Sequence, residues 1–565
     1  MTKILSLLKF YSKDINKIYI LVFIVVLLES LTVFLTYPLF QFLENKNEVI
    51  NINIYVQYFL NLIEKNLSLN LILLFIFLTA FLKFIFSTIL QKYNSKFIYN
   101  YEQFLSNKIY SYYLNRKVID IKKKNSSFIL SEAITQSSNI SEYGIKNLIN
   151  TFADFFLVLG VIFVWILVKP IFTIQILAFV IIFFFLIYFL TRKKLKKLTK
   201  IKNVVDARRL NFINQTFGLF TDIKLYSLDE KYKYIFDKIN KKYSDILANQ
   251  FFFSTFPKYI VEFIFISLFL LIIFFVNFLI SNNSNILPTL ALFGAGAFKI
   301  IPSISRMQYN LLNIKFAIQI LEKIDFFKKK NYRTLVNTKA INKDKFNYNK
   351  LIHFNKVDFR YSKKHKIILK KIDLKLLMGD VVGITGDSGS GKSTLVTLLA
   401  GFLTPTNGKI EADKKNIQNN LYGWQKQISY IPQNIFLIDG TIDDNLKIFN
   451  DIDFKKFSPM HNNLVDNLLK GLDKNQKIWE NGSNLSGGQI QRIAIARAIY
   501  NNSKILILDE TTNAIDIENE KIIFENLKKY ITNEMLIVVI SHNKNTLGYC
   551  DKIFKLQQKK LNRIK

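Results

Sequence analysis

Long apolar runs are confined to the first 305 residues of the chain. A helix that crosses a bilayer needs about 20 predominantly apolar residues. Six runs approach or exceed that length, and the last is the weakest because it contains Gly294, Gly296, Lys299 and Pro302. The sequence therefore predicts an α-helical membrane domain over residues 1–325. The six expected spans are 18–43, 69–90, 150–168, 171–190, 259–280 and 287–305.

The rest of the chain has a different composition. Residues 326–350 are polar and charged, which predicts a linker, and residues 351–565 then form a soluble domain. A hydrophobic content of 50% excludes a disordered protein, and a single cysteine, Cys550, excludes a disulfide scaffold. Lysine is abundant throughout the chain, as are Asn, Ile and Phe, so the net charge of +35 reflects a general compositional bias and not one basic patch. We therefore expect no nucleic-acid partner.

Positive charges also predict the orientation of the spans. The run 192–200 has six Lys or Arg residues and no acid, whereas the connections 44–68 and 281–286 have few positive charges. The N-terminus and the soluble domain are therefore expected on the cytoplasmic side. Two long inner segments, 91–147 and 192–258, have helical periodicity, so we expect long cytoplasmic helix extensions that turn back near 115–128 and 214–224. Residues 54–64 are expected to form a helix on the outer side of the membrane, either an interfacial helix or an ordinary amphipathic loop helix.

A segment rich in glycine and serine follows a strand-like stretch, Asp380–Thr385, and precedes an apolar helix, Leu395–Leu403. Glycines let backbone N–H groups turn inward and hold phosphate oxygens at a helix N-terminus. Lys392 is expected to reach the β- and γ-phosphates, and the Ser393 hydroxyl is expected to ligate Mg²⁺. The segment fits the P-loop pattern in full and predicts that ATP and Mg²⁺ bind here: Gly386-Asp387-Ser388-Gly389-Ser390-Gly391-Lys392-Ser393-Thr394.

A second apolar strand, Ile505–Glu510, ends in two acids, Asp509 and Glu510. At the carboxyl end of a parallel strand beside the P-loop, Asp509 is expected to hold Mg²⁺ through water. Glu510 is expected to polarise the attacking water as general base. The pair therefore predicts hydrolysis of the bound nucleotide.

The segment Leu485-Ser486-Gly487-Gly488-Gln489, together with the P-loop, resembles the signature of ATP-binding cassette (ABC) proteins. Ser486 and two glycines open an expected helix at 489–500, whose N-terminal amides form a second phosphate site. In that family this site serves the P-loop of a second cassette. The resemblance implies that Ser486, Gly487, Gly488 and Gln489 contact ATP that is bound to another copy of the chain.

Other positions match the family pattern one by one. Tyr361 matches the aromatic residue that stacks on adenine, and Gln433 matches the loop glutamine that meets Mg²⁺ and couples to the membrane domain. His542 matches the switch histidine at the γ-phosphate, and Asp516 closes the D-loop. The resemblance thus implies an active ATPase with Glu510, His542 and Gln433 as catalytic residues.

Six spans followed by one cassette resemble a half-size ABC exporter. The resemblance implies a type IV exporter fold, namely an α-helical six-span membrane domain followed by an α/β P-loop ATPase domain. It further implies a domain-swapped homodimer in the bacterial cytoplasmic (inner) membrane, crossing it several times.

Charged residues inside the expected spans bear on the cargo, since each costs about 2.5–3.5 kcal/mol at the bilayer centre. Lys83 lies in the second span, Lys258 adjoins the fifth, Lys299 and Arg306 bracket the bend of the sixth, and Glu29 lies in the first. Snorkelling to the interface suits Lys258 and Arg306 but not Lys83 and Lys299. A dimer doubles these cations around one cavity, which predicts an anionic cargo held by the four basic residues.

Two short patterns, Pro257-Lys258-x-x-x-Glu262 and Lys299-x-x-Pro302-Ser303-x-x-Arg306, resemble the lipid-linked oligosaccharide flippase of bacterial N-glycosylation. That resemblance implies a polyprenyl-pyrophosphate oligosaccharide as cargo. An exporter of lipid A, other lipids, drugs or peptides is the alternative. An ATP-gated channel or sensor would predict a broken catalytic set, and a soluble DNA-handling ATPase would lack the spans.

Overall fold

The computed structural model divides the chain into two compact units. The membrane unit comprises Met1–Asn115 and Lys124–Val336, and the cassette unit comprises Arg116–Lys123 and Asn337–Lys565. The structure describes residues 15–44, 69–122, 124, 126–170, 173–174, 194, 197–198, 201–202, 204–279, 286–328, 346–362, 366–448, 459–479, 482–501, 503–511, 517–530 and 535–565.

The membrane unit is helical throughout its described part. Two π-helical segments, Ser131–Gln136 and Ile140–Lys146, interrupt the helix that leads into the expected third span. Its other helices include α1 (Ile15–Glu44), α2 (Leu69–Leu114), α4 (Ser126–Leu130), α5 (Ser137–Asn139), α6 (Asn147–Val168), α7 (Phe220–Leu225), α8 (Asp229–Leu279), α9 (Ile286–Lys323) and α10 (Asp325–Lys328), while α3 (Val118–Lys122) groups with the cassette unit.

Four helical stretches of the described chain are long and apolar enough to cross a membrane. They contain the expected first, second, third and sixth spans, with mean hydropathies of 2.7, 2.4, 2.5 and 1.5. The expected fifth span falls in α8, whose side chains beyond residue 270 are not described, and the fourth, 171–190, lies almost wholly outside the described residues. These helices indicate a multi-pass membrane protein.

Helix α2 extends far past the expected span. Its 46 residues correspond to about 70 Å of helix, more than twice the hydrocarbon thickness of about 30 Å. The helical path breaks at 115–117, at 219 and at 226–228, close to the two expected turning points. The expected outer helix at 54–64 lies outside the described residues.

The membrane unit packs closely where α6 meets α9. Trp165 is buried at 1% exposure among Val161, Leu292, Phe293 and Ile300, and its indole N–H donates to the Leu292 carbonyl oxygen at 3.3 Å. Small residues allow helices to approach closely in membranes. Gly296 serves this purpose, because a Cβ at that position would lie 2.4 Å from the Trp165 ring.

We expect Gly296→Ala to destabilise the protein. The added methyl group must displace a buried indole, and overpacking of this kind costs about 1–3 kcal/mol. Thermal unfolding of the purified protein should show a lower Tm for Gly296→Ala. Gly218→Ala is the matched control, since its Cβ position has no atom within 4 Å. Equal melting temperatures for the two variants would contradict this account of Gly296.

The cassette unit contains two main sheets. Its helices are α11 (Lys392–Leu399), α12 (Leu421–Gln425), α13 (Ile442–Lys447), α14 (Pro459–Leu468), α15 (Gly487–Tyr500), α16 (Ile517–Tyr530) and α17 (Lys544–Gly548). Its strands are β1 (Leu351–Phe359), β2 (Leu369–Leu377), β3 (Val381–Thr385), β4 (Asn407–Ala412), β5 (Lys415–Asn416), β6 (Ile428–Ile431), β7 (Gly440–Thr441), β8 (Lys477–Ile478), β9 (Ile505–Asp509), β10 (Leu536–Ile540), β11 (Lys552–Gln557) and β12 (Lys560–Arg563).

The larger sheet has the order β12-β11-β3-β10-β9-β6, in which β11, β3, β10, β9 and β6 are parallel and β12 is antiparallel. Strands β9 and β10 are fully buried, as parallel strands covered on both faces must be. Ligands of such sheets bind outside the carboxyl ends of the strands. The P-loop, Gln433, Glu510 and His542 all follow carboxyl ends of strands in this sheet.

The second sheet, β2-β1-β4-β5, is antiparallel and packs against the first through a common hydrophobic core. Trp424 is fully buried there, and its indole donates to the Leu399 carbonyl oxygen at 2.8 Å. This bond fixes the end of α11, which begins at the P-loop lysine. Ile119 of α3 packs against the same core, so a segment between two membrane-unit helices belongs structurally to the cassette.

Candidate functional site

The P-loop connects β3 to α11 through three glycines with positive φ. The φ angles are 150° at Gly386, 76° at Gly389 and 110° at Gly391. A Cβ at Gly386 would lie 2.3 Å from the Leu556 carbonyl oxygen, so both conformation and space require glycine there. Gly391 is the N-cap residue of α11, and the loop therefore wraps the N-terminus of that helix.

Lys392 is held inside this loop. Its ammonium donates to the carbonyl oxygens of Gly386 at 2.8 Å and Asp387 at 3.1 Å, and only 6% of the residue is exposed. Burial lowers the pKa of Lys392, partly opposed by the negative charges of Glu510, Asp509 and Asp387. A phosphate bound next to this ammonium would supply a negative charge that stabilises the buried, charged form of Lys392.

Asp509 ends β9, and 5% of it is exposed. The Tyr430 hydroxyl on the neighbouring β6 donates to Asp509 Oδ2 at 2.9 Å. Burial and then the Asp509 charge raise the pKa of Tyr430, so this phenol stays a hydrogen-bond donor. Sequence reasoning missed Tyr430, whose only signal was its place on the strand that leads to Gln433.

Glu510 has a φ of 54°, a left-handed conformation that is strained for a residue with a side chain. Its backbone N–H donates to the Ile540 carbonyl oxygen at 3.0 Å, which anchors the turn to β10. Gln433 Nε2 donates to Glu510 Oε2 at 2.7 Å, and His542 Nε2 lies 3.5 Å from Glu510 Oε1. The structure thus brings the three expected catalytic residues together around one carboxylate.

The expected adenine-stacking residue also adjoins the P-loop. The Tyr361 hydroxyl lies 3.2 Å from Thr394 Oγ1, and 43% of Tyr361 is exposed. The expected Mg²⁺ ligands are the exposed Ser393 hydroxyl, the Asp509 carboxylate and the Gln433 amide oxygen, which are oxygen donors of the kind that Mg²⁺ prefers. No group of three or more His, Cys, Asp or Glu suited to a metal occurs in the described part of the chain.

The signature segment begins α15. Ser486 forms a capping box with Gln489, in which the Ser486 N–H donates to Gln489 Oε1 at 2.8 Å and the Gln489 N–H donates to Ser486 Oγ at 3.3 Å. Ser486 and Gly487 are exposed at the positive end of a 14-residue helix. Asp516 lies outside the described residues.

Three of the four expected cargo residues have acidic partners in the structure. Lys83 and Lys299 both form ion pairs with Glu29, and Arg306 pairs with Asp154. The side chain of Lys258 is not described. Sequence reasoning missed Asp154 as the partner of Arg306, although a lone acid in an apolar span was a usable signal.

This chain is similar in sequence and in fold to several known proteins. Residues 369–513 match the family described as ABC transporter. Curated relatives include the alpha-hemolysin translocation ATP-binding protein HlyB of Escherichia coli, 37% identical over 37% of this chain and 30% of its own length. Another is the ATP-dependent lipid A-core flippase of Ralstonia nicotianae, 38% identical over 36% of each chain. A third is the multidrug resistance-like ATP-binding protein MdlA of Buchnera aphidicola, 36% identical over 42% of this chain and 40% of its own.

These alignments span between 30% and 40% of the relatives' lengths. A solved structure of a bacterial Atm1-family ABC exporter with ATP bound superposes over 97% of this chain and 95% of its own, with a TM-score of 0.75 and 17% identity. The expected fold class is confirmed. Residues 369–513 are thus an ABC transporter ATP-binding domain, carried by a chain with the fold of an ABC exporter.

Proposed function

We propose that this protein is an ATP-driven exporter or flippase that moves an amphipathic, anionic substrate across the bacterial cytoplasmic membrane. The observation that carries the proposal is the convergence of the P-loop, Asp509, Glu510, Gln433 and His542 at one edge of the large sheet. In this proposal residues 1–325 form the six-span membrane domain, 326–350 the linker and 351–565 the cytoplasmic cassette, with the N-terminus also cytoplasmic.

Glu510 acts as the general base in this proposal. Gln433 and His542 contact its two oxygens and orient the carboxylate toward the attacking water. Lys392 and the P-loop amides bind the phosphates, and Tyr361 stacks on the adenine. Ser393, Asp509 and Gln433 would hold Mg²⁺, which neutralises phosphate charge when bound.

The working form is a homodimer in this proposal. The capped N-terminus of α15 presents Ser486 and Gly487 to solvent, and a second copy would cover it with its own ATP-bearing P-loop. Ser486, Gly487, Gly488, Gln489 and Asp516 then complete the site of the partner. Ile119 packs against the cassette core, which gives cassette motion a path to the helices on either side of α3.

The favoured cargo is a polyprenyl-pyrophosphate oligosaccharide. The membrane unit holds two groups of ion pairs. Lys83 and Lys299 share Glu29, and Arg306 pairs with Asp154. The excess is one positive charge per chain and two per dimer, which favours an anionic group inside an apolar bundle. Relatives named for lipid A-core, alpha-hemolysin and multidrug resistance make a different cargo the second candidate.

The test is ATPase activity of the purified protein in nanodiscs with graded additions of a lipid-linked oligosaccharide. We expect the cargo to raise the ATPase rate severalfold, because a cargo that favours the closed, ATP-bound conformation also speeds the transport cycle. Matched additions are lipid A, a transported drug and the same polyprenol without pyrophosphate. Stimulation by lipid A or drug alone would move the assignment to the second candidate.

A further inference from the structure

Glu29 occupies an unusual position between two lysines. It lies on α1, while Lys83 lies on α2 and Lys299 on α9. One oxygen, Oε1, pairs with both ammonium groups, closely with Lys83 Nζ and at 3.7 Å with Lys299 Nζ. Two cations therefore share one carboxylate oxygen.

The second oxygen of Glu29 is left without a hydrogen-bond partner among the described residues, although it is buried. The Glu29 side chain is 11% exposed, whereas the lysine side chains are 28% and 37% exposed. A buried polar group that serves only stability normally has its bonding capacity filled. The Glu29 carboxylate is thus buried with only one of its two oxygens paired, while the two ammonium groups remain accessible.

The neighbouring pair of Asp154 and Arg306 provides the contrast. Arg306 Nε and Nη2 both donate to Asp154 Oδ1, at 3.0 and 2.6 Å, and Nε also lies 3.3 Å from Oδ2. The Ser303 hydroxyl accepts from the same guanidinium at 2.9 Å. This forked, multiply bonded pair joins α6 to α9 through a buried carboxylate, although the Arg306 side chain is 55% exposed.

We propose that Glu29 is a built-in counter-ion, which Lys83 and Lys299 exchange for the phosphate oxygens of an anionic cargo. An ammonium is a compact charge with three rotatable donors, so it can change acceptors without losing a planar geometry. Phosphate offers several oxygens where Oε1 offers one. A neutral lipid cannot displace the carboxylate, so Glu29 sets selectivity for anions by competition.

This inference deepens the proposed cargo and rests on the proposed function only for the identity of that cargo. Its test is equilibrium binding of undecaprenyl pyrophosphate to the full-length protein in phosphatidylcholine nanodiscs at fixed salt. We expect Glu29→Gln to bind about tenfold more tightly than wild type, which equals about 1.4 kcal/mol and the low end of coupling between close charge pairs. Glu29→Asp keeps the competing charge and should bind nearly as weakly as wild type.

Three controls define the mechanism. Undecaprenol, which lacks phosphate, should bind all variants alike, and inorganic pyrophosphate shows whether the headgroup suffices without the lipid chain. In a Lys83→Met, Lys299→Met background, Glu29→Gln should give no gain. Glu132→Gln removes a different buried carboxylate of the membrane unit and should leave the affinity unchanged.

The outcomes separate this inference from the proposed cargo. If wild type is stimulated by the glycolipid but Glu29→Gln binds the probe no more tightly, the counter-ion role is overturned and the cargo stands. If the glycolipid fails to stimulate wild type but Glu29→Gln gains lysine-dependent affinity, the cargo is wrong and the counter-ion role stands. If no variant binds the probe, both are overturned.

Discussion

Replacing Glu510 with Gln is expected to remove most of the hydrolysis while ATP still binds. General-base catalysis contributes about 10²- to 10⁴-fold, and we expect a loss in that range. The amide keeps the size of the side chain and can still accept a hydrogen bond from Gln433 Nε2, but it cannot take a proton from water. Phosphate release measures the loss, and equilibrium binding of a fluorescent ATP analogue measures what is retained.

Glu518→Gln is the matched control for this substitution. Glu518 is exposed in the first turn of α16 in the same cassette, and its loss should leave turnover near the wild-type rate. His542→Ala should fall between the two, because His542 Nε2 contacts only one oxygen of Glu510. Turnover of Glu510→Gln within about tenfold of wild type would contradict the general-base role.

The strain at Glu510 supports the same role. A positive φ costs about 1–3 kcal/mol for a residue with a side chain, and such positions persist where the surrounding structure fixes them. The bond from the Glu510 N–H to Ile540 and the bond from Gln433 provide that fixation. The strained turn aims the carboxylate outward from the end of β9, whereas Asp509 just before it stays buried.

The nucleotide site was predictable because its parts are contiguous or follow buried strands. The P-loop is nine consecutive residues, and the strand expected at Ile505–Glu510 is β9, which ends one residue earlier at Asp509. Parallel strands bring their carboxyl ends to one edge, so Gln433, Glu510 and His542 could be expected together. Tyr430 could not, because its bond to Asp509 depends on β6 lying beside β9 rather than on any motif.

The membrane unit was less predictable for a physical reason. Hydropathy locates spans, but it does not say which faces of the helices meet. Arg306 and Asp154 are 152 positions apart, and their pairing follows from the packing of α6 against α9. The packing of α1 against α2 and α9 places Glu29 between two lysines that sequence reasoning had assigned to the cargo. The sequence therefore located the charged residues of the spans, but it did not identify the residues with which they pair.

A cysteine in the P-loop and a cysteine in the signature segment are expected to cross-link two chains only when ATP is bound. The variant carries Ser388→Cys and Ser486→Cys, both at exposed positions, in the Glu510→Gln background that retains ATP. The natural Cys550 is buried at 1% exposure, and burial raises its pKa to about 12, so it should not react with a maleimide. A short bis-maleimide reagent should convert the 66.2 kDa chain to a linked dimer.

In the proposed dimer, two helix N-termini would bind one triphosphate from opposite sides. Gly391 caps α11 and Ser486 caps α15, and each presents amides and a positive dipole end to phosphate. The Ser486 hydroxyl is occupied by Gln489 of its own capping box, so the segment is formed before any partner arrives. ATP on one chain then supplies the charge that draws the other chain's segment into place.

Single-cysteine variants separate this contact from other dimer contacts. With Ser388→Cys alone or Ser486→Cys alone, each contact between P-loop and signature segment contains only one cysteine. Neither variant should therefore give the ATP-dependent dimer band. Mixing the two single variants should restore it, because each chain then lends one cysteine to a shared site. A cross-link formed within single chains, or a dimer band independent of ATP, would contradict a nucleotide site built from two copies.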